Sequence, residues 1–295
     1  MDFPNETWKR CITQITFYGD YSHSVDNLPK SLKQLHFYGN FNQPINNLPN
    51  SLTHLTLGFA FNRSVDNLPE SLIYIYFRHE FDQSIDNLPN SIKSIKFHQF
   101  SRFNRKINRF PPFLNNIEFG SNFNQTIDNL PCSLTHITFG NDFNQPVDNL
   151  PSSLVHIKFG KKFNQSIDNL PRSLNYVEFD GCFNKSIDKI IEFVKIFTFN
   201  SYNLYNRHKD KLSNKCIIYG TNDVGTVNLI PCVCYKFNNF KIDSIVDNIY
   251  DIAKIQSFTH NILLKKLTEY VFNPQRLLRF VKKYNLTLEE YMDFL

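Results

Sequence analysis

The chain has 295 residues, 41% apolar and 20% charged, which lies in the ordinary globular range and excludes a wholly disordered chain. A formal net charge of +5 is too mild to argue for a nucleic-acid or membrane partner, and no apolar run of about 18 residues is present to span a bilayer as a helix. The six cysteines lack the paired CxxC spacing of a zinc site, so reduced thiols are expected and no metal or cofactor.

Residues 1–20 lack a basic start followed by an apolar run, so no secretory leader is read there and a cytoplasmic protein is expected. This segment is assigned as an N-terminal cap with a first strand starting near Ile12.

From Tyr21 the chain repeats itself. Tyr21, Phe41, Phe61 and Phe81 fall 20 residues apart, as do Phe103, Phe123, Phe143, Phe163 and Phe183, with one slip between the two runs. A representative unit, 143–162, reads FNQPVDNLPSSLVHIKFGKK. In each unit the L-x-x-I-x-F element, such as Leu134, Ile137 and Phe139, alternates as a half-buried strand does. Strands one coil apart cannot form hairpins, so they are expected to stack in parallel as a sheet along one side of a solenoid. The Leu-Pro pair, such as Leu130-Pro131, removes a backbone donor and favours extended backbone before it, so the far side of each coil should contain no helix. The recurrent aromatic should fill a core that one coil cannot enclose alone, and the Asn that follows it is read as a buried amide ladder. Asp82 interrupts that ladder in mid-array, where a rigid ladder should tolerate change poorly.

The predicted fold is therefore a mainly β repeat solenoid: a leucine-rich-repeat-like right-handed superhelix of nine 20-residue coils over 21–200, with a parallel sheet on its concave face. The strand residues that alternate with the apolar ones should face out of the sheet in two columns. One contains His54, Tyr74, Ser94, Asn116, His136, His156 and Tyr176, and the other Thr56, Tyr76, Lys96, Glu118, Thr138, Lys158 and Glu178. Unlike the core they vary from coil to coil, as specificity carried on a constant frame would require. Tyr74 and Tyr76 are hot-spot candidates, with His54 and Tyr176 on the same wall. His136 and His156 should sit within about 5 Å on adjacent strands, but no Cys or carboxylate completes a metal site, so they are read as a partner-facing pair.

The period slips in the coil beginning at Phe81, which has 22 residues, and the next coil reads NRFPPFLN in place of DNLPxSL. Irregularity is expected over 97–113, with a bend or bulge that separates the coils into two runs. Lys96, Arg102, Arg105 and neighbouring cations cluster there, and an acidic partner surface would fit them.

After Asn200 the period stops. Residues 201–240 read as a transition with short strands at KCIIYG and TVNLIPCVCYKF, and 241–295 as a helical cap or tail with Asn273-Pro274 and Thr287-x-x-Glu290 as helix starts.

The recurrence of FNQ, DNLP and SLTH at fixed offsets closely resembles the FNIP repeat, a leucine-rich-repeat relative of amoebae and of the giant viruses that infect them. The resemblance covers Tyr21 to about Asn200 and implies a binding scaffold, in the host cytoplasm if the chain is viral. Some members carry an N-terminal F-box that recruits ubiquitin ligases, but the 20 residues before the first coil are too short for one. The end of the chain, EYVFNPQRLLRFVKKYNLTLEEYMDF, also resembles a short helical tail of assorted repeat proteins of such viruses.

No phosphate loop, nucleophile elbow or metalloprotease helix appears, and the repeated Asp26, Asp66 and Asp128 belong to the structural DN element, so no enzyme is expected. The function read from the sequence is a non-enzymatic, monomeric scaffold that holds an unidentified partner protein on its concave face. Alternatives are a ubiquitin-ligase substrate receptor that recruits through its tail and a basic-surface nucleic-acid binder.

Overall fold

The computed structural model describes residues 11–200, 204, 207–212 and 216–219. The second expected transition strand, TVNLIPCVCYKF, and the helical region 241–295 lie outside the described residues.

Eleven short strands form one sheet: β1 (Gln14–Phe17), β2 (Gln34–Phe37), β3 (His54–Thr56), β4 (Tyr74–Phe77), β5 (Ser94–Phe97), β6 (Asn116–Glu118), β7 (His136–Thr138), β8 (His156–Phe159), β9 (Tyr176–Phe179), β10 (Ile196–Phe199) and β11 (Cys216–Tyr219). They are all parallel and stand in sequence order, β1 to β11. β11 is the KCIIYG strand, so the sheet runs one strand beyond the repeats. Residues 21–200 contain no helix, as the Leu-Pro pairs require. Each of those prolines instead opens a tight turn whose carbonyl accepts the N–H of the leucine or isoleucine three residues on, as Pro131 does from Leu134 at 3.1 Å.

Two columns of rings fill the core. The strand-end ring of one coil lies on the ring that opens the next, Phe139 on Phe143 at 3.8 Å and Phe159 on Phe163 at 3.8 Å. Between coils each ring stacks on its counterpart, Phe123 on Phe143 at 6.3 Å and Phe139 on Phe159 at 5.9 Å. These rings are essentially solvent-free. Every coil thus completes the core of its neighbour, the condition under which a unit too small to fold alone becomes stable.

Polar ladders run outside the rings. The expected Asn ladder is present: each Asn side-chain oxygen accepts the backbone N–H of its counterpart one coil on, from Asn62 N–H to Asn42 Oδ1 at 3.0 Å through to Asn184 N–H to Asn164 Oδ1 at 3.0 Å. Two expectations are corrected. The amides are exposed or half-exposed rather than buried, and Asp82 fits the ladder, because the coil-to-coil step uses only a side-chain oxygen, which a carboxylate also has. Where the next residue is Gln, as in Gln145, its amide donates to the ladder Asn; beside Asp82 that place holds Arg105, a cation for an anion.

A second ladder, not anticipated, comes from the serine of the SL pair, whose hydroxyl donates to the leucine carbonyl one coil back, as in Ser51 to Leu32 and Ser153 to Leu134, each at 2.6 Å. The repeated aspartates form a third, in which Asn47, Asn87 and Asn169 donate to Asp26, Asp66 and Asp148, each at 3.0 Å.

The coils press closest at the strand exits. A Cβ on Gly140 would lie 2.0 Å from the Gly120 carbonyl oxygen, so glycine here serves backbone approach.

The irregular coil does not divide the array, contrary to the expected separation into two runs. Strands β5 and β6 pair in register, Ser94 with Asn116 and Lys96 with Glu118, so the sheet continues unbroken. The extra residues are absorbed between Phe97 and Phe103, where Ser101 is buried and Phe100 is pushed out to 57% exposure. Further on, Phe113 replaces a ladder serine and is exposed, while Arg109 clamps the preceding coil through the carbonyls of Asp86 and Leu88 and the side-chain oxygen of Asn90.

The outer face of the sheet changes character along its length. Over β8 to β10, His156, Tyr176, Glu178 and Thr198 are buried, with His156 3% and Tyr176 6% exposed. The expectation that His156 and Tyr176 face a partner is therefore corrected. The Tyr176 hydroxyl bonds to Thr198 at 2.8 Å and to Glu178 at 3.1 Å, and Glu178 also takes Lys158 Nζ at 2.6 Å and Asn200 Nδ2 at 2.8 Å. Long polar side chains on adjacent strands meet here and satisfy one another. Burial works against the charge on Lys158, but the Glu178 carboxylate holds its pKa above the ordinary lysine value. The His156 ring lies 4.3 Å from Tyr176, with its Nε2 buried and unbonded.

Two outcomes follow from this packing. Asn144→Asp should keep its ladder bonds and change stability by less than about 0.5 kcal/mol, whereas Asn144→Leu should lose about 1 kcal/mol, read by urea denaturation. Burial pushes the His156 pKa down to about 3 from an ordinary 6.5, with the neighbouring His136 adding to the shift. Between those values the unfolded chain binds the proton and the folded one does not, so stability falls as pH drops below 6.5. His156 should contribute a loss of about 2 kcal/mol between pH 7 and 5, and His156→Phe should remove that part of the slope in denaturation curves taken across the range.

Candidate partner-binding face

Strand register carries the expected columns into space. His54 pairs with Tyr74, Tyr74 with Ser94, Asn116 with His136 and His136 with His156 in the first. Thr56 pairs with Tyr76, Tyr76 with Lys96 and Lys96 with Glu118 in the second. Each lies on the outer face because its strand neighbours, such as Leu55, Ile75 and Ile95, point into the core and are solvent-free.

Over β2 to β5 this face is open. His54, Tyr74, Tyr76 and Lys96 are all half-exposed, and the His54 ring lies 5.8 Å from Tyr74. Partial burial, reinforced by Glu118, pushes the Tyr74 pKa up to about 12, so its hydroxyl remains a donor at any physiological pH. Among the described residues neither the Tyr74 nor the Tyr76 hydroxyl has a hydrogen-bond partner, whereas the Tyr176 hydroxyl is engaged. The tyrosines at the two ends of this face thus differ in whether their hydroxyls are engaged among the described residues.

His136 is half-buried, its Nδ1 bonded to Thr135 Oγ1 at 2.8 Å, and its ring lies 5.6 Å from His156. The two histidines are neighbours as expected, but among the described residues no group of three His, Cys, Asp or Glu side chains is placed to hold a metal ion.

The cationic patch around the slip is largely neutralised. Arg102 pairs with Glu80 at 2.7 Å, Arg105 with Asp82 at 3.5 Å and Lys96 with Glu118 at 2.6 Å, each across neighbouring coils. The acidic-partner expectation is corrected for these three side chains, whose charges already meet anions one coil away. As half-exposed or exposed pairs they add little stability each.

A feature absent from the sequence expectations lies beside the open face. The residues just after β1 to β5 form a line of rings and cations: Tyr18 stacks on Tyr38 at 5.5 Å, Arg78 lies 4.7 Å from Tyr38 and 4.5 Å from Phe59, Phe59 meets His98 at 6.2 Å, and His98 meets Phe100 at 5.7 Å. Arg78 is also 5.7 Å from Tyr76, which joins this ledge to the outer face. The signal available in sequence was the region just after the strand, where the first position holds Tyr18, Tyr38, Gly58, Arg78 and His98 in the early coils, with Phe59 following Gly58, and Gly120, Gly140 and Gly160 later.

Among the described residues no helix is long and apolar enough to cross a membrane.

Comparison with known proteins agrees with this architecture. The crystal structure of the giant-virus protein CroV588, titled a novel circular LRR protein structure, superposes with a TM-score of 0.57 at 41% sequence identity, over 63% of this chain and 30% of that one. This chain thus matches less than a third of that protein. No curated protein sequence matches. Solenoids of this leucine-rich-repeat-like kind are typical of protein–protein interaction scaffolds and are generally non-enzymatic. The FNIP Repeat model matches residues 24–60, 61–100, 103–142, 126–162 and 143–182, more than half of the chain, and with the stacked rings and 20-residue coils this places the chain in the FNIP repeat family.

Proposed function

We propose that this protein is a non-catalytic scaffold that binds a partner protein on the outer face of its sheet over β2 to β5. The observation that carries this reading is the pair of half-exposed tyrosines, Tyr74 and Tyr76, whose hydroxyls have no partner among the described residues. Tyrosines of this kind offer a large rigid apolar surface with a directional donor at its tip, and they are common interface anchors. His54 and Lys96 widen the same surface. The half-exposed outer residues vary while the core repeats, which lets specificity change without disturbing the frame. The buried network over β8 to β10 points to the N-terminal half as the available part of the face, with His136 at its margin.

The double variant His54→Ala, Tyr74→Ala removes this surface without touching a ladder or a core ring. It should melt within a few degrees of the parent, while a partner captured by proximity labelling in the native cell binds it roughly thirtyfold more weakly or worse, the scale of a lost hot spot. Undiminished binding by the folded variant would reject the face as the binding site.

A further inference from the structure

The ledge beside the open face has the properties of a second recognition element. Single exposed aromatics are ordinary on protein surfaces, but here Tyr18, Tyr38, Phe59 and Phe100, at 80%, 43%, 39% and 57% exposure, form one chain of contacts through Arg78 and His98. Phe100 belongs to it only because the irregular coil has extra residues between Phe97 and Phe103. After His98 the same position is Gly120, Gly140 and Gly160; at Gly58, within the ledge, the next residue, Phe59, supplies the ring.

Its centre is a cation without an anion. Arg102, Arg105 and Lys96 each face a carboxylate, whereas Arg78 has no ion-pair partner among the described residues and its buried Nε makes no hydrogen bond. Its guanidinium lies over the rings of Tyr38 and Phe59, which fixes its plane and strips away part of its water before any ligand arrives. Beside it, burial first and then the charges of Arg78, His79 and Lys96 hold the His98 pKa below its ordinary value. A carboxylate meeting such a guanidinium gains charge-assisted hydrogen bonds, with the ordering of the side chain already complete.

We propose that the ledge docks an extended acidic segment of a partner protein, one Asp or Glu seated on Arg78 and apolar side chains on either side of it lying on Tyr18 and Tyr38 and on Phe59 and Phe100. From β1 to β5 the ledge crosses four strand spacings, about 20 Å, which an extended segment of about six residues spans. The proposal rests on the scaffold reading above and adds the chemistry of what is held.

The test is selection from a random-peptide phage library on the full chain, followed by fluorescence anisotropy of the recovered peptides. The expected consensus is an Asp or Glu flanked by apolar residues. Affinity should fall at least about tenfold, the scale of a lost charge-assisted bond, with Arg78→Gln and with the peptide acid changed to its amide, and should be unaffected by Tyr74→Ala. The peptide change reads the same contact without altering the protein, so a poorly folded Arg78 variant leaves the test intact. Absence of an acidic consensus, or binding unchanged by loss of the peptide acid, overturns the proposal. Peptides sensitive to Tyr74→Ala but not to Arg78→Gln would overturn the ledge and support the open face, and peptides sensitive to neither would count against both readings.

Discussion

A coil of twenty residues has too little apolar surface to enclose a core, and in this protein the missing wall of each coil is the aromatic ring of the next. The strand-end phenylalanines meet the rings that open the next coil at 3.8 Å, and counterpart rings stack near 6 Å between coils, so the core is one continuous stack rather than a series of separate cores. All else is arranged around keeping that stack in register. The Asn, Ser and Asp ladders each tie a backbone or side-chain group to its counterpart about one coil away, and the strand-exit glycines let the backbones come close enough for the rings to touch. Stability of this kind is shared between neighbours, so a coil has meaning only within its array.

That sharing explains how the array absorbs irregularity. The extra residues between Phe97 and Phe103 are expelled at the strand exit, where Phe100 projects into solvent and Ser101 turns inward, while β5 and β6 keep their pairing. Arg109, at the position where Asn47, Asn87 and Asn169 each make one ladder bond, makes a three-point clamp, and Asp82 is matched by Arg105. The cations that cluster around the slip are therefore largely the repair of the repeat, and the one guanidinium left over, Arg78, sits among rings. The same mechanical event that disturbs the repeat also supplies the last ring of the ledge.

The outer face shows how a constant frame carries two different surfaces. Over β8 to β10 the outward side chains hydrogen-bond and pair with one another, which leaves His156 and Tyr176 inaccessible. Over β2 to β5 the outward side chains other than the buried Thr56 are half-exposed, and the Tyr74 and Tyr76 hydroxyls have no hydrogen-bond partner among the described residues. The strands keep the same parallel register through both stretches, so the backbone pattern is common to the two surfaces.

The sequence by itself determined the coils, the parallel order of the strands, the absence of helix beyond the Leu-Pro pairs, the inward residues and the two outward columns, because all of these follow from a period of 20 imposed on an alternation of two. It also located the slip and placed Tyr74, Tyr76, His54 and His136 on the outer side of the sheet. It did not reveal which outward residues are buried, since His156 and His136 occupy identical repeat positions and yet one is buried and the other half-exposed. Nor did it reveal that Arg102 and Arg105 are paired, or that Tyr18, Tyr38, Phe59, Arg78 and Phe100 touch, because these contacts join residues one or more coils apart and depend on where each chain exits its strand. Only the tertiary structure decides such contacts: the period fixes which positions are adjacent, and the side chains that meet there decide whether they are consumed by the protein or left for a partner.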